Sequence, residues 1–371
     1  MKASDPGIGS EFGLSRAGGY RYSFSRCVPD LTPDRVSYVA NGRAAIGLAI
    51  RHLRQTAGDG RDRALLPAYL CHSMIQPFLE HGLRIDFYPV ADDLSIRPRA
   101  VANRVDDSTL VVLWMHYFGF GQPESPAPVL GEERPRVTVI DDRTHMLGTD
   151  LRAGLLLSDQ SIALYSPRKW GAFPDIGLVA WPDKLLPSES LPRLTDRSYD
   201  HHFALWRLVG LLLRALYFAL PVESLRRHSL RPLRKADALL DRRIRVRKAS
   251  PVSQFLWHHW KWAEIWRSRR TNFRYLLENW ATPEIRPLYR ELPDSVCPIG
   301  FPVRTADREE LRRHLISRAI FPPIHWVRPA QVPAQDFPGT AALAEEELTI
   351  PIDQRYGLGQ MDWILEALCQ I

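Results

Sequence analysis

Lys169 stands three residues after Ser166, where the apolar run "SIALYS" (161–166) ends. Upstream, "VTVIDD" (137–142) closes on two carboxylates, Asp141 and Asp142, with His145 three residues further on. The run "TLVVLWMHYF" (109–118) passes through His116 and Tyr117 into Gly119, and Asn41-Gly42 opens the helix-patterned "GRAAIGLAIRHLRQ" (42–55). These residue types suit one chemistry. A lysine amine condenses with an aldehyde to a Schiff base, and a helix start with a serine hydroxyl takes a phosphate. A buried carboxylate keeps a pyridinium nitrogen protonated. Pyridoxal 5'-phosphate needs all of these parts. Each residue alone has a plainer reading: Lys169 as a surface cation, Asp142 as a cap or turn residue, His145 as a satisfied polar group. The specific signal is their order on consecutive strand ends, because ligands of open α/β sheets gather beyond the carboxyl ends of the strands.

The elements that must position these residues alternate along the chain. "ALLPA" (64–68), "LRIDFYPV" (83–90) and "IGLVAWP" (176–182) read as further strands, "SMIQPFLEHG" (73–82) and "LSIRPRAVANRV" (94–105) as helical pieces. The unbroken apolar run from Thr109 is what a strand buried on both faces requires. Strands alternating with helices predict a mostly parallel sheet covered on both sides, hence a three-layer α/β domain. The section from about 195 to 290 reads as helical, with the tryptophan-rich "SQFLWHHWKWAEIWRSRRTNFRYLLENW" (253–280) as a core-facing or interface helix. "VCPIGFPV" (296–303), "DREELRRHLISRAI" (307–320) and "ALAEEELTIP" (342–351) predict a small α+β domain closed by "MDWILEALCQ" (361–370). The expected layout is an N-terminal segment, 1–30, partly disordered or a tag. A large cofactor-binding domain, 31–250, follows with a helical insertion at about 195–245, then a small domain, 251–371, entered by a long helix. The opening "MKASDPGIGSEFGLSRAGGY" shows no secretory pattern and is set aside from the fold.

A chain of 371 residues fits one large domain plus a smaller one. The net charge of +7 suits anionic partners, and part of it is concentrated in "LRRHSLRPLRKADALLDRRIRVRK" (225–248). No RNP, zinc-finger or phosphate-loop spacing accompanies that stretch, so nucleic acid is not an indicated partner. The four cysteines, 27, 71, 297 and 369, form no CxxC pair, which argues against a metal site or disulfide framework and for a reducing, cytoplasmic setting. Arg207 and Arg214 interrupt the most apolar run, "HFALWRLVGLLLRALYFALP" (202–221), which reads as a buried or amphipathic helix rather than a membrane span. An interfacial helix on a membrane surface is the alternative reading.

From Asn41 onward the chain resembles the DegT/DnrJ/EryC1/StrS aminotransferases, fold type I pyridoxal-phosphate enzymes that mostly act on keto sugars attached to nucleotides. The segments that carry the likeness are "NGRAAIGLAI", "LLPAYLCHSMIQPFLEHG", "HYFGFGQP" with its likeness to a His-x-Tyr-Gly loop, "VIDDRTHMLG", "SPRKWGAFPDIG", "IHWVRP" (324–329) and "LTIPIDQRY" (348–356). The resemblance implies the pyridoxal-phosphate transferase fold, a large three-layer domain plus a small α+β C-terminal domain. It also implies a homodimer and an amino donor such as glutamate. It makes Lys169 the Schiff-base lysine and proton shuttle, and Asp142 the partner of the pyridine nitrogen, with Asp141 structural. Ser166 and the amides of Gly42 and Arg43 are implied at the phosphate. His145 stands where most members have glutamine near the cofactor's phenolic oxygen. His72, beside Cys71, is the expected stacking residue. His116 is expected at the cofactor, and Tyr69, Tyr117 and His325 at the substrate.

This chain departs from that pattern in two places. Asp175-Ile176-Gly177 replaces Asp-Gly-Gly, and because isoleucine does not take the positive φ that glycine supplies, a different turn is expected. The family's Asn-Tyr-Arg motif, which reaches a neighbour's cofactor, is absent; Arg247 or Lys248 in "RIRVRKAS" (243–250) is the nearest candidate. Two other readings follow. A pyridoxal-phosphate enzyme could rework sugars without transamination, although that chemistry usually goes with loss of the lysine. A non-catalytic relative could bind an anionic partner or membrane surface through residues 225–248.

Overall fold

The computed structural model describes residues 7–9, 11–14, 35–133, 136–147, 161–182, 194, 199–220 and 222–371. Cys27 and most of the expected 1–30 segment lie outside the described residues. In chain order the elements begin with β1 (Ile8–Gly9), β2 (Val36–Val39), α1 (Gly42–Ala57), β3 (Arg63–Pro67), α2 (His72–Glu80) and β4 (Arg84–Tyr88). Next come α3 (Pro98–Ala102), β5 (Thr109–Met115), α4 (Ala127–Glu133), β6 (Thr138–Asp142), β7 (Ser161–Tyr165) and β8 (Gly177–Ala180). The second half holds α5 (His201–Ala219), α6 (Glu223–Arg242), α7 (Pro251–His259), α8 (Trp262–Glu278), β9 (Arg286–Pro287) and β10 (Phe301–Arg304). It closes with α9 (Arg308–Ser317), β11 (Ile320–Phe321), α10 (Pro338–Glu346), β12 (Glu347–Ile350) and α11 (Leu358–Leu368).

Seven strands form the main sheet in the order β2-β8-β7-β6-β5-β3-β4. Neighbours from β4 to β7 pair in parallel, and β8 runs antiparallel to both β7 and β2. The expected mostly parallel sheet is therefore present. All seven residues of β5 are buried, as its unbroken apolar run requires of a central strand. Register aligns the strand ends: Met115 pairs with Asp142, and Asp142 with Leu164. Since β2 runs the same way as β7, its carboxyl end and the following Asn41 reach the same edge. There Asn41 caps α1 by accepting the Ala44 N–H at 3.0 Å, a contact worth roughly 1 kcal/mol.

The C-terminal part combines strands and helices. An antiparallel sheet, β12-β10-β9, packs with α9 and α10, Phe273 of α8 packs beside Phe301 of β10, and α11 packs on α8 and α9. The long helix expected at its entry is instead two helices. α7 ends at His259, and Trp260 adopts an extended backbone (φ −73°, ψ 135°) before α8 begins. The cause is a second apolar cluster in which Trp170, Phe173, Trp257, Trp260 and Trp262 are buried together. Trp260 lies over Gly171, where an added Cβ would sit 2.2 Å from the indole. Turning that ring inward breaks the helix and backs the segment that carries Lys169.

Two further expectations are corrected. Residues 7–9 and 11–14, set aside on sequence, take part in the fold: β1 pairs in parallel with β11, and Gly9 N donates to the Tyr356 hydroxyl at 2.6 Å. Ile176 does take a positive φ, +151°. Its side chain is fully buried in the tryptophan cluster and its N–H donates to Ala40 O at 2.8 Å, which together hold a conformation that β-branched residues rarely adopt. Gly177, next in line, must stay small, because a Cβ there would meet the Asn41 carbonyl at 2.7 Å.

Candidate active site

Lys169 ends a single 3-10 turn, Pro167–Lys169, that follows β7. Its N–H closes the turn on Ser166 O at 3.0 Å, and its Nζ donates to Thr144 Oγ1 at 3.3 Å. Thr144, which no sequence pattern singled out, also donates its N–H to Asp142 Oδ1 at 2.9 Å. The loop after β6 thereby holds both the carboxylate and the lysine. Asp175 anchors the far side of the lysine segment. Its buried carboxylate accepts Ser250 N–H at 2.8 Å and the hydroxyls of Ser250 and Ser253, which ties the segment to the start of α7.

Lys169, Asp142, Thr144, Ser166, Asn41, Gly42 and Arg43 line one cavity of about 420 Å³. The Asn41 cap takes the Ala44 amide and leaves the Gly42 and Arg43 amides without an intrahelical acceptor. Burial lowers the pKa of the Lys169 ammonium, against the pull of Asp142 and aided by Arg168. Burial raises that of the Asp142 carboxyl, against Lys169 and the Thr144 hydrogen bonds. The donor set therefore combines a lysine biased toward its neutral form, a buried carboxylate and two helix-start amides. It fits a phosphorylated aldehyde carrying a basic ring nitrogen.

A second cavity of about 550 Å³ shares Lys169, Glu11 and Phe12 with the first and extends to His325, Trp326, Arg312, Arg355 and Thr349 of the C-terminal unit. Lys169 is thus common to both spaces. Burial, with Lys169 next, lowers the His325 pKa to about 3, so its imidazole is neutral. His325 Nδ1 pairs with Thr349 Oγ1 at 2.8 Å, and its N–H donates to Glu347 Oε2 at 2.6 Å.

The remaining candidates fall into three settings. His145 is buried, its ring 5.2 Å from Trp326, and its Nδ1 accepts Phe118 N–H at 3.3 Å, which leaves the proton on Nε2. Burial, followed by Lys169 and His325, holds its pKa well down. His116 accepts Gln122 N–H on Nδ1 at 2.9 Å, so its Nε2–H donates to Asp141 Oδ1 at 2.8 Å. Asp141 also accepts from Arg143 at 2.7 Å, which makes it part of a structural network, separate from Asp142. Tyr69 and Tyr117 are buried and spend their hydroxyls inside the protein, on His325 O and on Tyr69 O respectively. His72 is exposed at the start of α2, whereas its neighbours Cys71 and Ser73 line the first cavity. Arg247 and Lys248 lie on an extended segment beside β2, where Ala40 N–H donates to Arg247 O at 2.9 Å, and neither lines the two cavities.

Sequence reasoning also missed Glu11, Phe12, Arg168, Arg207 and Asp237, all on the wall of the first cavity. The available signal was Arg207 itself. An arginine in an apolar helix needs a reason, and here the usual arrangement is inverted. Arg207 and Arg214 are 4% and 1% exposed, while Leu205, Leu212, Leu216 and Leu220 stand out at 44–56%.

The parts define an α/β protein with a lysine and a carboxylate at adjacent strand ends, facing a cavity that a helix start closes. Solved structures share this architecture. Sugar aminotransferase CalS13 from Micromonospora echinospora aligns over 97% of this chain and 98% of its own, with a TM-score of 0.64 and 16% identity. The aminotransferase TlmJ from Streptoalloteichus hindustanus aligns over 98% and 97%, with a TM-score of 0.64 and 16% identity. A DegT DnrJ EryC1 StrS aminotransferase from Brucella abortus aligns over 94% and 91%, with a TM-score of 0.59 and 14% identity. No protein-family model matches the chain, and no curated sequence matches it. The fold is that of fold type I pyridoxal-phosphate enzymes.

Proposed function

We propose that this chain is a pyridoxal-phosphate-dependent aminotransferase of the DegT/DnrJ/EryC1/StrS kind. It moves an amino group, with glutamate as donor, to a keto sugar carried on a nucleotide, for polysaccharide or glycosylated-metabolite synthesis, and acts in the cytoplasm as a homodimer. The observation that carries this reading is the single cavity lined by Lys169, Asp142, Ser166 and the α1 amides. The likeness in fold to aminotransferases of solved structure supports it. The arginines of the second cavity suit an anionic donor and a diphosphate.

When bound, pyridoxal phosphate supplies a ring that takes up the electron pair left behind as a proton leaves carbon. The chain's residues do the rest. Gly42, Arg43 and Ser166 would hold the phosphate, and the Asp142 carboxylate would pair with the ring nitrogen. Lys169 Nζ, whose charge burial disfavours, would carry the proton between carbon centres. His145 donates from Nε2, which Phe118 leaves protonated. The exposed leucine face of α5 gives a second copy a surface to cover.

The deciding measurement is the visible spectrum with added pyridoxal phosphate, before and after glutamate, followed by borohydride reduction and peptide mass analysis. The expected result is a visible band that glutamate removes, and a pyridoxyl mass on Lys169 that Lys169→Ala abolishes. A wild-type chain that shows no band sinks the reading.

A further inference from the structure

The insertion helices bring charge into the first cavity that the phosphate cup alone does not explain. Arg207, from α5, lines its wall beside Arg168 of the lysine segment. Its side chain is 5% exposed and its Nε is buried with no hydrogen-bond partner among the described residues. The Nε of Arg168 is in the same condition. The anions near them are loosely placed: Arg207 Nη2 is 3.5 Å from Glu11 Oε2, Arg207 Nη1 is 3.9 Å from Asp237 Oδ1, and Arg168 Nη2 is 3.8 Å from that same oxygen. Charge-assisted pairs close to about 2.7–2.9 Å when the geometry is their own. A buried guanidinium, Arg207, and a half-buried one, Arg168, held this far from their counter-ions are arranged for an anion that can reach both. Glu11 belongs to the segment that crosses the cleft, fixed through its backbone oxygen by Arg355 at 3.1 Å and Arg214 at 3.3 Å, while its carboxylate is 42% exposed.

We propose that Arg207 and Arg168 form an oxyanion subsite for the cofactor's phosphomonoester, supplied within the chain by the α5 insertion, and that the Glu11 carboxylate occupies this subsite as an internal counter-ion until the phosphate arrives. The ligand named here rests on the pyridoxal-phosphate reading above. The subsite also accounts for the inward turn of Arg207 on α5, which brings its guanidinium to the cavity wall.

The test compares pyridoxal phosphate with pyridoxal, which lacks the phosphate, by equilibrium titration of wild type, Arg207→Gln, Arg207→Lys and Glu11→Gln. Inorganic phosphate is scored separately by thermal shift, and urea midpoints check folding. Arg207→Gln is expected to weaken pyridoxal phosphate by about tenfold or more and leave pyridoxal unchanged, with Arg207→Lys recovering part of the loss. Glu11→Gln, at an exposed carboxylate, is expected to tighten pyridoxal phosphate several-fold and to enlarge the thermal shift by inorganic phosphate. Equal loss of both ligands in Arg207→Gln means a structural arginine and overturns the proposal. If Arg207→Gln does not fold, Glu11→Gln decides alone, and unchanged phosphate affinity overturns it. If wild type binds neither pyridoxal compound but inorganic phosphate shifts it and not Arg207→Gln, the subsite stands and the cofactor reading falls.

Discussion

Gly171→Ala tests whether the tryptophan cluster sets the position of Lys169. The new Cβ would sit 2.2 Å from Trp260 Cζ2 and 2.7 Å from Cε2. Relief to the 3.4 Å of an ordinary contact requires the ring or the lysine segment to move by about 1.2 Å. The ring has little room, because Phe173 lies 4.4 Å away, Trp262 lies 6.4 Å away, and Trp260 is wholly buried. Overpacking at such a site costs about 1–3 kcal/mol, and the rigid walls place this case toward the upper end. Lys169 is two residues away in chain, so a displacement near 1 Å lowers turnover roughly 10²-fold. Urea unfolding and transamination assays read the two effects. The control is Trp260→Leu, which destabilises by itself but opens the space. In that background Gly171→Ala removes backbone entropy from the unfolded chain without a clash, and is expected to stabilise by about 0.4–1 kcal/mol. The sign of the alanine effect therefore reverses. Additive effects of the two substitutions, with no reversal, would refute the coupling of Trp260 to the lysine segment.

Asp142→Asn removes the anion that opposes burial at Lys169, so the lysine pKa falls further. The pH midpoint for borohydride-dependent alkylation of Lys169 by a small aldehyde should move down while turnover drops about 10²–10⁴-fold; an upward or unchanged midpoint contradicts the pairing. Burial lifts the Glu347 carboxyl from 4.5 to about 8, against the hydrogen bonds from Thr349 and His325 and the charge of Arg308. Between those values the folded protein keeps a proton the unfolded chain has lost, so stability falls as pH rises through that window and levels above it. Chemical denaturation across pH should show this, and Glu347→Gln should flatten it. Leu212→Asp with Leu216→Asp places two charges on the exposed face of α5. Sedimentation should show the wild-type dimer shift to monomer with the cofactor spectrum of each chain retained, and a wild type that sediments as a monomer ends the dimer proposal.

The sheet was legible because its signal is local. Thr109–Met115 is apolar at every position after the first, and a strand with no polar face has to lie inside a covered sheet. The ends of β5, β6 and β7 line up from their residue patterns alone, because parallel strands place their carboxyl ends together. Lys169, Asp142, Ser166 and Gly42 share a cavity for that reason. Less legible were residues whose role depends on contacts far along the chain. The separation between Glu11 and Arg355 is 344 residues, and between Asp175 and Ser250 it is 75. No periodicity encodes such meetings.

What the sequence determined by itself was the alternation of elements and the set of chemical groups at their ends, since both follow from side-chain type and spacing. Tertiary structure decided which of two adjacent aspartates stands free. Asp141 is bound by His116 and Arg143, while Asp142 faces Lys169 through Thr144. It also decided that Trp260 breaks a helix to back the lysine, that Ile176 holds a positive φ, and that the arginines of an apolar helix point inward. Each is settled by packing, where one side chain's place is fixed by what surrounds it and not by its neighbours in the chain.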